Sequence, residues 1–300
     1  MKQKKIYKDL LSILEKKLSI LPDKSEETTN NTLCALWHTA AGNRVSPIMA
    51  SKLELPTLSL SQISDLRNFI QNRISGVPLA HITERQNFMG LDYILNKGHY
   101  IPRKETELLA KTAINTIVTD YANDPDIFVI DLCTGIGTVA LAIAHYSKNA
   151  RVFASDIYLP AIEAANVNAK HFSLEHRTTF FHANMFDPFE SLSLKKNTHI
   201  IVSAPPYISS EKVKNMSPEI ADHEPKEAFD AGPTGLSIFS LLISIAPEYL
   251  NADGYLIFEC GLGQGEFLAN RIEADSRYAS VFKIYDDDGN IRVLKARKAS

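Results

Sequence analysis

Hydrophobic residues in the first quarter of the chain recur at helical spacing. One helix face is marked by apolar residues three or four positions apart: Ile6, Leu10, Ile13, Leu14 and Leu18. Pro22 ends this helix, because proline lacks the N–H that an interior helical position donates. The same spacing predicts two more helices, over residues 31–39 around the single Trp37 and over 63–74. We therefore expect residues 1–75 to form a small helical domain.

The hydrophobic period changes to that of short strands between residues 79 and 101. The run 87–95 contains Gly90, which is the expected turn of a β-hairpin. A helix is predicted to begin after Pro102, with Glu105 and Glu107 in its first turn, where the helix dipole favours acids. Residues 76–104 are thus interpreted as a hairpin linker that precedes a larger domain over 105–300.

After Pro125, continuous apolar runs alternate with helical stretches. Such runs are typical of strands that are buried on both faces of a parallel sheet. The predicted strands are 127–130, 152–156, 178–182, 200–203, 255–259, 281–285 and 291–295. This alternation predicts an α/β fold of the doubly wound kind.

A glycine-containing loop joins the first of these strands to the next helix. Gly135 and Gly137 allow backbone and ligand to approach closely, and Asp156 ends the second strand about twenty residues later, where an acid meets ribose hydroxyls. The third glycine of the dinucleotide fingerprint and a Lys-Ser/Thr pair are both missing. The loop therefore favours a smaller nucleoside ligand without a bridging pyrophosphate. Asn184, just beyond the third strand, is placed to contact an adenine edge.

The fourth strand, 200–203, leads into two consecutive prolines, Pro205 and Pro206, which Tyr207 follows. Because each proline fixes its own φ and has no N–H, the turn is stiff and cannot continue into a helix or a ladder. A fixed carbonyl beside an aromatic face suits the positioning of a planar nitrogen. The residue before the prolines, where a side-chain amide would hold that nitrogen, is Ala204.

The charge balance disfavours one class of partner. With 300 residues, a net charge of −3 and a pI of about 6.3, the chain has no cationic field for non-specific nucleic-acid binding. Three widely separated cysteines favour a reducing compartment over a disulfide framework or a zinc site, so we expect no metal. The sequence shows no signal-peptide core and no membrane-spanning run, and we expect a cytoplasmic protein.

Taken together, these motifs resemble those of the HemK-type protein-glutamine methyltransferases, the PrmC and PrmB group. The resemblance covers about residues 76–297 and rests on matches in chain order: Gly76-Val77-Pro78-Leu79-Ala80, Ile101-Pro102-Arg103, Glu105-Thr106-Glu107, Asp131 to Gly137, Asp156 with Asn168, Pro205-Pro206-Tyr207-Ile208, His223-Glu224-Pro225, Gly232, Gly235-Leu236, Glu259-Cys260-Gly261, Gln264, Asp288-Gly289 and Arg292. It implies a Rossmann-like class I methyltransferase fold with a seven-stranded, mostly parallel sheet and a helical substrate-recognition domain. It also implies N-methylation of a glutamine amide in a release factor or a ribosomal protein.

The resemblance implies S-adenosylmethionine as the cofactor and S-adenosylhomocysteine as its product. The residues that it assigns to the cofactor are Arg103, Glu105, Thr106, Asp131, Cys133, Thr134, Gly135, Gly137, Asp156, Ile157, Asn184, Met185 and Ser203. The catalytic positions are Ala204, Pro205, Pro206 and Tyr207. Tyr207, Glu224 and Pro225 are expected to contact the substrate.

Three positions depart from the family pattern. Ala204 replaces the asparagine before Pro-Pro-Tyr, Asn184 replaces an acid, and Glu84 replaces a glycine. In the family, the asparagine oxygen and the first proline's carbonyl accept both amide hydrogens of the substrate. Three hypotheses stay open: an engineered Asn→Ala change, a natural relative that methylates another planar nitrogen, and a cofactor-binding protein without catalysis.

Another planar nitrogen, such as the guanidine of free arginine, would need carboxylates instead of an amide. Glu219, Asp222 and Glu224, which follow the Pro-Pro-Tyr turn, are the candidates, although an acidic loop is more often simply solvated. Methylation of a nucleic-acid adenine uses a similar turn to stack the base. It is disfavoured here because no Lys/Arg cluster accompanies the turn.

Overall fold

The computed structural model describes residues 2–300 and places twelve α-helices and nine strands in that range. The helices are α1 Lys2–Lys17, α2 Thr29–Ala40, α3 Pro47–Ala50, α4 Leu60–Ile74, α5 Leu79–Thr83, α6 Glu107–Asp120, α7 Thr138–Tyr146, α8 Leu159–His171, α9 Ser210–Val213, α10 Pro218–Ala221, α11 Ser237–Tyr249 and α12 Gly265–Glu273. The strands are β1 Arg85–Phe88, β2 Leu91–Ile94, β3 Ile127–Leu132, β4 Ala150–Asp156, β5 Thr178–His182, β6 Thr198–Ser203, β7 Leu250–Glu259, β8 Tyr278–Tyr285 and β9 Ile291–Lys298. None of the helices in residues 2–300 is long and apolar enough to cross a bilayer.

The chain divides into two units. The smaller unit comprises Met1–Lys104 and Met216–Glu224, and the larger one comprises Glu105–Asn215 and Pro225–Ser300. The return of a short segment to the smaller unit was not anticipated from the sequence. The domain boundaries expected at residues 75 and 104 stay predictions.

A seven-stranded sheet forms the centre of the larger unit, in the order β5-β4-β3-β6-β7-β9-β8. The five strands β3 to β7 run parallel, and β9 is antiparallel to both of its neighbours. Every residue of β3 except Phe128 and every residue of β6 except His199 is buried, as the continuous apolar runs require. The predicted Rossmann-like fold with a mostly parallel seven-stranded sheet is confirmed.

The strand order defines where a ligand can bind. β3 lies between β4 and β6, so the chain leaves β3 toward one side and later returns to its other side. In open α/β sheets, ligands bind outside the carboxyl ends of the strands at such a switch point. The register sets Leu132 of β3 beside Ser203 of β6, and Ser203 beside Phe258 of β7. The loop after β3, the turn after β6 and the end of β7 therefore meet at one edge of the sheet.

The smaller unit has a helical core of its own. Its buried centre includes Leu14 of α1, Leu36 and Trp37 of α2, and Leu66 of α4. The Trp37 indole donates a hydrogen bond of 2.8 Å to the Pro56 carbonyl, so its polar atom is satisfied although the ring is buried. The three helices predicted from the apolar spacing correspond to α1, α2 and α4, and the helical N-terminal region is confirmed.

The predicted hairpin is formed by β1 and β2, with Phe88 paired to Leu91. Its two turn residues, Met89 and Gly90, both have positive φ, which is the geometry of a tight two-residue hairpin turn. Glu84, just before β1, also has a left-handed backbone, with φ of 55° and ψ of 33°. Glycine adopts this conformation without steric penalty, which explains why the family pattern has a glycine there.

Candidate active site

The loop after β3 combines tight packing with an open face. Cys133, Gly135 and Gly137 all have positive φ, at 58°, 56° and 82°. A Cβ at position 137 would lie 3.1 Å from the side chains of Leu141 and Phe180, whereas no atom lies within 4 Å of the equivalent point at Gly135. A ligand can therefore approach the backbone closely at Gly135.

Asp131 stabilises this loop from inside. Its Oδ2 accepts a hydrogen bond of 2.6 Å from the Thr134 hydroxyl and one of 3.1 Å from the Ala140 N–H in the first turn of α7. Burial raises the pKa of the Asp131 carboxyl to about 7, although both hydrogen bonds act to lower it. Among the predicted cofactor residues, Asp131 and Thr134 are thus brought together, and Asp131 is enclosed by the protein.

Asp156 at the end of β4 is bonded to the same loop. Its Oδ2 accepts the Gly135 N–H at 2.8 Å and its Oδ1 accepts the Tyr158 N–H at 2.9 Å. Burial raises the pKa of this carboxyl, and the backbone donors oppose the shift. Because an ionised carboxylate offers about four acceptor sites, Asp156 retains capacity for further donors such as ribose hydroxyls. The adjacent Ile157 is 64% exposed and presents an apolar surface next to it.

Asn184 and Met185 follow β5 in a turn. The Asn184 carbonyl accepts the Asp187 N–H at 3.0 Å, and Met185 has a φ of 45°. The Met185 carbonyl accepts the Ser155 hydroxyl at 2.7 Å, and its sulfur lies 3.6 Å from Sγ of Cys133. The turn is therefore tied to β4 and to the loop after β3, as expected if the three segments line one pocket.

The Pro-Pro-Tyr turn begins where β6 ends against β3. The Ser203 hydroxyl donates a hydrogen bond of 2.9 Å to the Leu132 carbonyl. Pro205 is buried, and Ala204 is partly buried. By extension of the strand register, Ala204 lies between Cys133, which follows β3, and Glu259 at the end of β7. The turn thus sits directly beside the glycine-containing loop.

Tyr207 is held at both its main chain and its hydroxyl. The Gln264 Nε2 donates to the Tyr207 carbonyl at 3.1 Å, and the Gln264 Oε1 accepts the Gly261 N–H at 2.9 Å. The Tyr207 hydroxyl donates to Glu259 Oε1 at 3.1 Å, and Arg292 Nη2 donates to that hydroxyl at 3.4 Å. A Cβ at Gly261 would lie 2.9 Å from the Tyr207 ring, so the ring packs directly on the backbone there.

Glu259 is the buried centre of this group, which we name the Tyr207 cradle: Tyr207, Gln264, Gly261, Glu259 and Arg292. Burial raises the pKa of the Glu259 carboxyl, whereas the Thr106 hydroxyl, the Arg292 charge and the Tyr207 hydroxyl lower it. The charge of Glu105 acts on both Glu259 and Arg292. The predicted cofactor residues Glu105 and Thr106 therefore lie beside the Tyr207 cradle.

Two predicted site residues lie together in the smaller unit. Arg103 Nη2 donates to Glu224 Oε1 at 2.6 Å, and the same guanidinium pairs with Asp23 at 3.3 Å. The second oxygen of Glu224 accepts the Ile101 N–H at 2.8 Å. The Glu224 side chain is fully buried, and its carboxylate is engaged by these two donors. Pro225 is the first residue of the second segment of the larger unit, Pro225–Ser300.

Glu219, a candidate partner for a guanidine, is also engaged within the smaller unit. Its carboxylate contacts Lys24 at 2.8 Å and Arg73 at 3.0 Å, and Arg73 contacts Glu27 at 3.0 Å. Lys24, Arg73 and Glu27 are each at most 2% exposed. Sequence reasoning missed this cluster, although Arg73 lies three residues after the buried Ile70 on the apolar face of α4. The signal available in the sequence was a charged residue, Arg73, at a position where the helical spacing predicts an apolar one.

The roles of Glu259, Gln264 and Arg292 were also missed. They match the family motifs, but nothing in their spacing indicates that they converge on Tyr207. The available signal was the position of Glu259 at the end of a buried apolar strand. Asp131 and Asp156 occupy the same kind of position in β3 and β4.

Comparison with known proteins gives consistent relatives. A family model for the methyltransferase small domain matches residues 109–223. A release factor glutamine methyltransferase of Bacillus anthracis is 30% identical over 261 residues, which is 87% of this chain and 89% of that protein. One of Coxiella burnetii is 32% identical over 241 residues, covering 80% of this chain and 82% of that protein.

Solved structures with a similar fold are more distant. A SAM-dependent methyltransferase of Agrobacterium tumefaciens aligns with a TM-score of 0.48 at 14% identity, covering 72% of this chain and 70% of that one. A putative transferase of Pyrococcus horikoshii aligns with a TM-score of 0.46 at 16% identity, covering 72% and 71%. Likenesses at this distance do not inform the site.

Proposed function

The chain belongs to the release factor glutamine methyltransferase family, and on that premise we propose that it methylates the side-chain amide nitrogen of a glutamine in a release factor. The observation that carries this proposal is the position of the Pro-Pro-Tyr turn. The Ser203–Leu132 hydrogen bond fixes the start of the turn beside the glycine-containing loop, at the switch point of the sheet. An acceptor nitrogen held by the turn would thus face a ligand held by the loop.

The residues at the loop fit S-adenosylmethionine as the methyl donor. Gly135 leaves open space over the backbone, Asp156 retains acceptor capacity beside it, and Ile157 offers an apolar surface. The absence of a third glycine suits a nucleoside without a pyrophosphate. When bound, the cofactor supplies an electrophilic methyl group on a sulfonium. Asp131 contributes indirectly, because it keeps the loop in the conformation that leaves Gly135 open.

The chain's own residues act on the acceptor by positioning it. In this proposal the carbonyl of Pro205 accepts one N–H of the substrate amide, and the Tyr207 ring packs against the amide plane. Alignment of the reacting atoms can lower the barrier to forming the N–CH3 bond by several kcal/mol. As that bond forms, the S–CH3 bond breaks to leave S-adenosylhomocysteine, and the nitrogen releases one proton to solvent. Ala204 supplies no second acceptor, so we expect a rate about tenfold to a thousandfold lower than with asparagine, by analogy with loss of one oxyanion-hole donor.

The alternative acceptors find less support. A guanidine would need free carboxylates after the Pro-Pro-Tyr turn, but Glu219 and Glu224 are engaged by Lys24, Arg73 and Arg103. Of the three candidate acids, Asp222 is left as a single exposed carboxylate. A ribosomal protein bearing a target glutamine presents the same amide and differs only in how it docks. Free arginine and ribosomal protein therefore serve as comparison acceptors. With a release factor as acceptor, the cytoplasmic location expected from the sequence remains part of the proposal.

The test is incubation of the purified chain with a purified release factor and S-adenosylmethionine that carries a deuterated methyl group. Peptide mass spectrometry is expected to find the label on one glutamine. A release factor in which that glutamine is replaced by alanine is the matched control and is expected to stay unlabelled. Label on arginine or on no acceptor, with cofactor binding intact by calorimetry, would contradict the proposal.

Ala204→Asn is the variant that probes the missing amide. It is expected to raise kcat by about tenfold or more, because a second acceptor then orients the amide. The affinity for S-adenosylhomocysteine is expected to change less than about threefold, since Asp156 and the glycine loop are untouched. An unchanged or lower kcat in Ala204→Asn would show that position 204 does not orient the acceptor in this chain.

A further inference from the structure

We propose that Glu259, Arg292 and Gln264 are positioning residues for methyl transfer, and that they act by fixing Tyr207 and with it the Pro-Pro-Tyr turn. This inference rests on the proposed function and deepens the description of the same site. None of the three residues needs to touch the acceptor or the cofactor. Because Ala204 contributes no acceptor, alignment in this chain depends on how rigidly the rest of the turn is held.

The first restraint acts on the main chain of Tyr207. Gln264 Nε2 donates to the Tyr207 carbonyl at 3.1 Å and to the Gly235 carbonyl at 3.4 Å. A Cβ at Gly235 would lie 2.7 Å from the Tyr207 carbonyl oxygen, so this oxygen is packed as well as bonded. Pro205 and Pro206 fix their own φ angles. With the peptide after Tyr207 also fixed, few torsions remain by which the turn could reorient the Pro205 carbonyl.

The second restraint acts on the Tyr207 hydroxyl through the sheet. Ser203 pairs with Phe258, so Glu259 follows in register beside Ala204 on the neighbouring strand. Glu259 is 3% exposed and Arg292 lies 3.4 Å from its Oε1. The Tyr207 hydroxyl is therefore anchored to two strands of the central sheet, β7 and β9, instead of to a surface loop.

The same cluster also reaches the start of the larger unit. Glu105 Oε2 and Arg292 Nε are buried atoms that have no hydrogen-bond partner within residues 2–300. The Thr106 hydroxyl hydrogen-bonds to Glu259, and the charge of Glu105 acts on both Glu259 and Arg292. The Tyr207 cradle thus joins the turn that carries Glu105 and Thr106 to the turn that carries Tyr207. These are the segments assigned to the cofactor and to the acceptor.

The test is a double-mutant cycle with Tyr207→Phe and Glu259→Gln. Methylation of the release factor gives kcat and KM, and calorimetry gives the affinity for S-adenosylhomocysteine. Each single variant is expected to lower kcat about tenfold or more, since a displacement of about 1 Å can cost a hundredfold. KM and the S-adenosylhomocysteine affinity are expected to stay within about threefold. The double variant is expected to be no slower than the slower single variant, because both remove one link.

Tyr255→Phe is the matched control, because Tyr255 lies on the same strand but its hydroxyl bonds to Asp120. It is expected to leave kcat unchanged. If Glu259→Gln does not fold, Glu259→Asp replaces it, since aspartate keeps a carboxyl group beside Arg292 but withdraws it by one methylene from Tyr207. Additive losses in kcat, or a loss of S-adenosylhomocysteine affinity as large as the loss of kcat, would overturn the inference. An unchanged kcat in both variants would overturn the inference too. The proposed function would still stand in that case, provided that the wild-type chain methylates the release factor.

Discussion

Replacing Glu219 by glutamine is expected to destabilise the smaller unit by about 3–5 kcal/mol, the usual effect of removing one partner of a buried ion cluster. Glu219 contacts both Lys24 and Arg73, at 2.8 Å and 3.0 Å. Both cations are 2% exposed, so neither can be rehydrated in place. Arg73 would keep Glu27 as a counter-ion, but Lys24 would lose the carboxylate that it contacts.

Glu27→Gln in the same cluster is expected to cost at least about 2 kcal/mol less. Glu27 forms its ion pair with Arg73, which would keep Glu219. The pKa directions agree with this order. Burial raises the pKa of Glu27 above its usual value, so the folded chain binds a proton at Glu27 more tightly than the unfolded chain does. Burial acts in the same sense on Glu219, but Lys24 and Arg73 outweigh it and lower the pKa, so the folded chain favours the ionised form.

Trp37 makes the measurement specific to this unit, because it is the single tryptophan of the chain and is 1% exposed in the helical core. Urea unfolding at pH 7, monitored by the fluorescence of Trp37, gives the free energy of unfolding for each variant. Asp222→Asn is the control, since Asp222 is an exposed acid in the same segment, and its effect is expected to stay within about 0.5 kcal/mol. The stabilisation from ionised Glu219 is present above its ordinary pKa and is lost as the pH falls through its lowered value. The reasoning is refuted if Glu27→Gln costs as much as Glu219→Gln, or if Glu219→Gln matches Asp222→Asn.

Further changes test the hairpin and the cofactor loop. Glu84→Gly is expected to stabilise the smaller unit by up to about 1 kcal/mol in the same urea assay, because it relieves a left-handed φ of 55°; a loss of stability would contradict this. Gly137→Ala is expected to weaken S-adenosylhomocysteine binding about tenfold by calorimetry, while Gly263→Ala, with a φ of 81° but no atom within 4 Å, is the control for backbone strain alone. Burial raises the pKa of Asp131 to about 7, so the folded chain binds this proton more tightly than the unfolded chain does. The free energy of unfolding should therefore fall by up to about 1.4 kcal/mol for each unit of rising pH between about pH 4 and 7. Asp131→Asn should flatten this pH dependence when unfolding is measured by calorimetry. An equal slope in the wild type and the variant would refute the role given to Asp131.

Local patterns predicted most of the architecture, because burial on both faces of a strand leaves a continuous apolar run. The strands β3 and β6 and the loop with Gly135 were predictable on that basis. The return of Met216–Glu224 to the smaller unit was not, since its acids have the local appearance of a solvated loop. Their partners, such as Arg73, lie more than a hundred residues earlier in the chain. Only the folded arrangement shows that Glu219 and Glu224 are engaged in ion pairs, whereas Asp222 between them is exposed.

The convergence on Tyr207 escaped prediction for the same reason. Glu259 and Arg292 lie 33 residues apart in the chain and are brought together by the pairing of β7 with β9. A sequence motif records that such residues are present, but it carries no information about which atom each one contacts. The role inferred for Glu259 follows from the hydrogen bond that its carboxylate accepts from the Tyr207 hydroxyl.

The three departures from the family pattern differ in kind. At Glu84 the backbone keeps the left-handed conformation suited to glycine, so the change costs conformational energy but leaves the fold intact. At Asn184 the turn is fixed through the main-chain carbonyl, which accepts the Asp187 N–H whatever the side chain. Ala204 alone removes an atom that the proposed chemistry would use. The chain should therefore fold and bind its cofactor as its relatives do, and differ from them in the rate at which it aligns the acceptor nitrogen.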